Sequence, residues 1–175
     1  KFGYGGYKYI EGRWKNVAKK LIKKFNLKSK SKILDVGCGK AFILYEIKKL
    51  LPSIDIVGFD ISKHGIKNAP KEIRKNLIIQ EAQNRYNYKD KEFDLAISTG
   101  CFHNLEINEL KFALNEIQRV SKKTYIMVES YRNEKELFNL QCWALTCESF
   151  FSKKEWKWIF KEFNYKGFYE FIYFE

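Results

Sequence analysis

Six residues in two clusters mark where this sequence can do chemistry. Asp35-Val36-Gly37-Cys38-Gly39 sets a carboxylate two residues ahead of a pair of glycines, and Asp60 follows further along. Gly37 and Gly39 let the backbone turn tightly and approach a ligand with no Cβ in the way, and a helix start leaves N–H groups unpaired. A carboxylate at Asp35 would repel a pyrophosphate but attract an ammonium, which argues against the dinucleotide-binding version of this turn. Asp60 falls about 20 residues past the glycines, where an acid can accept hydrogen bonds from both hydroxyls of a ribose. Each such charge-assisted bond is worth about 1.5–3 kcal/mol. The bland alternative is a tight turn with a surface acid nearby.

Particular elements must hold these residues. Ile33, Leu34 and Val36 form an apolar strand running into the glycines, and Ile43, Leu44, Ile47, Leu50 and Leu51 repeat with helical spacing just after them. Residues 54–62 read as the next parallel strand, with Asp60 at its carboxyl end. Ser62 then caps a helix carrying Ile66, Ala69 and Ile73, interrupted by Pro70. Leu77-Ile78-Ile79, Phe93–Ser98, Thr124–Glu129 and Tyr169–Phe174 read as further strands. Between them, Asn108 caps a helix with Leu110, Ala113, Leu114, Ile117 and Val120, and Ser152-Lys153-Lys154-Glu155 is a capping box opening another. The alternation predicts a single α/β domain over 1–175: a doubly wound, mostly parallel sheet of six to seven strands with helices on both faces.

In this frame the chain resembles the class I S-adenosylmethionine-dependent methyltransferases. Asp35-Val36-Gly37-Cys38-Gly39 looks like their first motif and Asp60 like their ribose acid, with Ala41 where a third glycine usually stands. The resemblance implies S-adenosyl-L-methionine as cofactor and S-adenosyl-L-homocysteine as product, held by Asp35, Gly37, Cys38, Gly39, Asp60 and Ile61. It implies an adenine clasp at Glu81, Ala82 and Gln83, and further contacts from Ser98 and Thr99. Residues 99–105 look like the fourth motif, which faces the transferable methyl; no Asn/Asp-Pro-Pro-aromatic sequence is present, which disfavours action on exocyclic amines of adenine or cytosine. Within that stretch His103 is the candidate catalytic base, since an unperturbed imidazole pKa of ~6.5 suits proton transfer near neutral pH. Packing or capping of the next helix is its alternative fate. Glu129, ending the fifth strand, is the second catalytic candidate.

The N-terminal residues Phe2-Gly3-Tyr4-Gly5-Gly6-Tyr7-Lys8-Tyr9, with Glu11-Gly12-Arg13-Trp14, resemble the head segment of small bacterial methyltransferases of surface-polysaccharide assembly. The likeness implies a small acceptor bearing phosphate or sugar. Tyr4, Tyr7 and Arg13 are its expected contacts within a lid; a frayed end is the alternative. Arg132, just past the end of the fifth strand, is a further substrate candidate, and so are Trp143 and Glu148, because residues 133–151 read either as a substrate-selecting insertion or as a core helix pair.

The net charge of +12 is uneven: residues 1–32 hold 11 Lys/Arg against Glu11 alone, and the remaining 143 residues are nearly balanced. Lys19, Lys20, Lys23 and Lys24 lie opposite an apolar face of Trp14, Val17, Ala18, Leu21, Ile22 and Phe25. That is a solvated face, or one that attracts a phosphate-bearing substrate, nucleic acid or an anionic membrane surface. An RNA methyltransferase and a non-catalytic nucleoside-binding or partner-activating module are therefore the rival functions. The four cysteines lack metal-ligand spacing, so no metal site is expected. No apolar run reaches the ~18 residues of a membrane span, and a cytoplasmic protein is the expectation.

Overall fold

The apolar runs become six strands because each is flanked by helices whose apolar stripes cover one sheet face or the other. A computed structural model of the chain describes residues 7–175. The strands are β1 (Lys32–Val36), β2 (Asp55–Asp60), β3 (Leu77–Ile79), β4 (Leu95–Thr99), β5 (Thr124–Glu129) and β6 (Phe168–Ile172). Their order is β3-β2-β1-β4-β5-β6, and every pairing is parallel. The chain reverses its direction of winding between β1 and β4, which is where an open parallel sheet keeps a ligand crevice.

Alternate strand residues feed two cores. Ile33, Leu95 and Ile97 join Ala18, Leu21 and Phe25 of α1 (Lys15–Phe25) and Ile43, Leu44 and Ile47 of α2 (Phe42–Leu50). Leu34, Val36 and Ala96 face the other way, onto Leu110, Leu114 and Ile117 of α4 (Ile107–Val120) and Trp156, Ile159 and Phe160 of α6 (Lys153–Glu162). The remaining helices are α3 (Lys63–Lys67) and α5 (Glu134–Trp143). No helix of the described residues is long and apolar enough to cross a membrane.

Several boundaries differ from expectation. Ser62 caps α3, accepting a hydrogen bond from Gly65 N, but that helix stops at Lys67, so Ala69 and Ile73 are buried by the turns around Pro70 rather than by helix. The cap of α4 is Glu106, not Asn108: the Glu106 side chain and Glu109 satisfy each other's backbone N–H groups, and Asn108 is already inside the helix. Phe93 precedes β4 and makes an isolated bridge to Ser121. The closing strand runs parallel to β5, pairing Glu129 with Ile172, and completes a six-stranded sheet.

Of the expected N-terminal lid, residues 1–6 lie outside the described residues, Tyr4 among them. Tyr9 sits edge-on to Phe42 and Tyr45, with ring centroids 5.6 and 5.2 Å away, and its hydroxyl donates to Glu46, a side chain only 2% exposed. A buried carboxylate left without its donor is costly, so Tyr9→Phe is expected to lower the unfolding free energy by about 1–3 kcal/mol. Denaturant melts check this. Unchanged stability would show that the hydroxyl contributes nothing, and the same bond means that deleting residues 1–9 cannot be neutral for stability.

Candidate active site

The carboxyl ends of the strands enclose a cleft of about 1380 Å³. Its floor is the turn between β1 and α2, and hydrogen bonds to β2 fix that turn. Gly37 N and Cys38 N both donate to Phe59 O at 2.9 Å, Gly39 N donates to Asp60 Oδ2 at 2.7 Å, and Ala41 N donates to Cys38 O at 2.7 Å. Gly37 must be glycine on two counts, a φ of +73° and a Cβ that would stand 2.3 Å from Cys101 Sγ. Gly39 needs its φ of +56°, and a Cβ there would meet no protein atom. Because these amides are already spent on β2 and within the turn, the glycines offer a ligand shape and nearby carboxylates rather than the free N–H groups of a phosphate-binding turn.

Those carboxylates are Asp35 and Asp60. Asp35 is 2% exposed, and its Oδ1 has no hydrogen-bond partner among the described residues. Burial, then the charge of Asp60, pushes its carboxyl up to about 8. Asp60 accepts from Gly39 N and, through Oδ1, from Ser62 N at 2.8 Å, which leaves each oxygen a lone pair for an incoming hydroxyl. Cys38, Ile61, Glu81, Ala82, Gln83 and Thr99 also line the cleft. Tyr86, which the sequence did not single out, holds the loop of Glu81–Gln83 by donating its buried hydroxyl to Ala82 O at 2.8 Å. Ser98 is fully buried behind the wall and does not line it.

The catalytic candidates separate. His103 does not reach the crevice where the sequence placed it. Residues 102–104 form a 3-10 turn that buries Phe102 and His103 outside the cleft lining, and His103 O accepts from Glu148 N and Ser149 N at 3.0 and 2.9 Å. Its Nδ1 lies 2.5 Å from Glu129 Oε2, an ion-pair distance, though neither atom makes an aligned hydrogen bond. Glu129 is the member of the pair that lines the cleft.

The substrate candidates also divide. Arg13 and Trp143 line the cleft, Trp143 packing on Phe174 at 4.5 Å between centroids. Arg132 lies outside it, its guanidinium paired with Glu136 and Glu175 and 4.4 Å above the Tyr173 ring. Glu148 is exposed and outside. Tyr7 is 76% exposed and borders a neighbouring depression, where Lys40 Nζ donates to its carbonyl. Sequence reasoning missed Trp14 as a wall, and it missed the C-terminal residues Ile172–Glu175, which the β5–β6 register carries alongside Glu129. No group of three or more His, Cys, Asp or Glu side chains among the described residues could hold a metal ion.

A family model described as a methyltransferase domain matches residues 27–164. The chain belongs to the methyltransferase-domain family. A curated relative, ribosomal RNA small subunit methyltransferase C of Haemophilus influenzae, is 35% identical over 85 residues; that match covers 47% of this chain and 26% of the relative. The chain thus matches about a quarter of that relative's length. Among solved structures, a putative methyltransferase from an antibiotic biosynthesis pathway of Anabaena variabilis has a TM-score of 0.68 at 18% identity, covering 86% of this chain and 61% of that one. A SAM dependent methyltransferase from Aquifex aeolicus has a TM-score of 0.59 at 21% identity, covering 89% and 88%. These two share the fold.

S-adenosylmethionine, the cofactor of such a methyltransferase domain, fits the residues present. The orphaned Asp35 oxygen suits the ammonium of its amino-acid end, Asp60 suits the ribose hydroxyls, and Gln80–Gln83 border the space for adenine. When bound, it supplies an electrophilic methyl on a sulfonium. An ammonium held at Asp35 would require the ionised carboxylate, so affinity for S-adenosylhomocysteine is expected to fall up to tenfold per pH unit below about 8. In the free protein the unfolded chain loses this proton first, so Asp35 costs stability progressively as pH rises from about 4, its unfolded value, to about 8. Asp35→Asn should therefore melt higher than wild type at pH 8 and bind the ligand more weakly, with a flat pH dependence. Calorimetry and melting curves across pH 6–9 check both signs.

Proposed function

We propose that this methyltransferase domain transfers a methyl group from S-adenosylmethionine to a small-molecule acceptor. The carrying observation is that one cleft is lined both by the Asp35–Asp60 turn and by Glu129, Trp14, Trp143 and Phe174, and we assign the aromatic part to the acceptor. Displacement at a sulfonium methyl is in line, so alignment of the two partners is the main contribution the protein can make, worth ~7–11 kcal/mol when fully realised. Residues 133–151 serve the acceptor half: Phe138, Asn139, Cys142, Trp143 and Thr146 all border it. The head-segment resemblance suggests a sugar- or phosphate-bearing acceptor, such as a surface-polysaccharide precursor. Flat aromatic walls suit a ring, and Arg13 suits an anionic group.

One observation favours RNA as a second reading. The curated relatives are named as ribosomal RNA methyltransferases, and α1 carries exposed Lys15, Lys19, Lys20 and Lys23 beside the cleft-lining Trp14. Labelled S-adenosylmethionine, incubated with the protein and with small-molecule or RNA fractions from its own source, separates the two. Label is expected in the small-molecule fraction and is expected to survive ribonuclease. Label in RNA, with binding that weakens steeply as salt rises, would replace this reading. Asp60→Ala should lose about 1.5–3 kcal/mol of cofactor affinity, roughly tenfold or more, and unchanged affinity by calorimetry would remove the cofactor assignment.

A further inference from the structure

Glu129 stands at the junction of the two halves of the cleft, and a chain of contacts fixes it there. Cys101 packs against Gly37 of the glycine turn, since a Cβ on Gly37 would lie 2.3 Å from its Sγ. The preceding Gly100 has a φ of +69°, and a Cβ there would lie 3.1 Å from Glu129 Oε1, so the carboxylate sits directly over this backbone. On its other side Glu129 pairs in register with Ile172, so Tyr173 and Phe174 emerge next to it and carry the stack on Trp143. The carboxylate therefore lies between the cofactor turn and the aromatic wall.

Its carboxylate has room for a further donor. The side chain is 3% exposed and lines the cleft, and its charge-capable neighbour, His103, places Nδ1 2.5 Å from Oε2 without hydrogen-bond alignment. A buried carboxylate facing a ligand space gains most from a cationic donor, because charge-assisted hydrogen bonds are roughly twice as strong as neutral ones. The aromatic faces nearby also attract cations, and a hydroxyl acceptor would gain from neither effect to the same degree. Glu109 and Glu175 line the same half, against the guanidinium of Arg13.

Resting on the methyl-transfer reading, we propose that the acceptor is a ring-borne amine, with its nitrogen presented at Glu129 and its ring against the Trp143–Phe174 wall. The acceptor enters as an ammonium and gives one N–H proton to the Glu129 carboxylate. The freed nitrogen lone pair then forms the N–C bond to the methyl group as the methyl–sulfur bond breaks, and that bond's electron pair stays on sulfur. The product is the N-methylammonium, S-adenosylhomocysteine and a protonated Glu129, which returns its proton to solvent when the cleft opens. Glu129 is the catalytic residue, and His103 is a positioning residue that holds it.

Binding to the S-adenosylhomocysteine-saturated protein tests this, with 2-phenylethylamine paired against 2-phenylethanol and glucosamine against glucose. At least one amine is expected to bind tenfold or more tightly than its matched alcohol; the pair that does so distinguishes an aromatic from a sugar ring. Glu129→Gln should abolish that preference while affinity for S-adenosylhomocysteine stays within twofold. Equal binding in both pairs, or no binding of either amine, overturns the proposal. A parallel loss of S-adenosylhomocysteine affinity in Glu129→Gln also overturns it, by placing Glu129 in the cofactor half. Should Glu129→Gln not fold, the more exposed Trp143→Ala must weaken the bound amine at least threefold, and an unchanged affinity overturns the ring contact. Wild-type protein that fails to bind S-adenosylhomocysteine at all would sink the methyl-transfer reading itself, a result distinct from these.

Discussion

Three hydrogen bonds between the glycine turn and β2 carry the architecture of the cleft. Phe59 O takes the N–H groups of Gly37 and Cys38, and the Asp60 carboxylate takes that of Gly39. The first two tie adjacent strand ends together, so the turn cannot move without the sheet. The third makes one cleft-lining carboxylate a structural acceptor as well. Close packing supports the same junction: a Cβ on Gly58, in the middle of β2, would lie within about 3.0 Å of Leu77 Cδ2, Cys38 Sγ and Leu44 Cδ1. β2 therefore passes tightly beneath the turn, and the direction of α2 follows from where the turn releases it.

Two buried acids of the cleft share an energetic character. Asp35 and Glu129 are both carboxylates at 3% exposure or less; Asp35 Oδ1 has no donor among the described residues, and Glu129 Oε2 faces His103 Nδ1 at 2.5 Å without hydrogen-bond alignment. A folded protein rarely keeps such groups, because desolvating an acid without a donor costs free energy that packing must offset. Their surroundings do so: Leu34, Val36, Ile126 and Val128 beside them are fully buried. Buried carboxylates at the carboxyl ends of strands are what a ligand-completing surface looks like.

The sequence made the glycine-turn side of the cleft legible because its signals are local. Asp35, Gly37, Gly39 and Asp60 follow from strand, turn and strand, and β1, α2 and β2 lie where apolar spacing puts them. The side of the cleft around Glu129 and Trp143 was less legible because it is assembled from distant pieces. Glu129 acquires its meaning from Gly100 and Ile172, which neighbour it only through parallel register. His103 lies within three residues of cleft-lining Gly100 and Cys101, yet the 3-10 turn buries it outside the lining. Asn108 lost the cap of α4 to Glu106 because Glu106 and Glu109 could pair reciprocally, a choice that composition alone does not reveal.

Ala41 brings out a property of the turn that contacts alone do not show. It holds a φ of +55°, the left-handed region where a side chain is strained and glycine is at home. The cost of that strain, about 1 kcal/mol, is comparable with the extra chain entropy that a glycine would lose on folding, so the exchange is close to even for stability. It is not even for the free cleft. A glycine would let the entrance to α2 sample conformations that a ligand must then remove, whereas alanine, buried at 1% exposure, restricts them beforehand. The alanine therefore trades a small standing strain for a preorganised turn, and its benefit falls on ligand affinity rather than on the melting temperature.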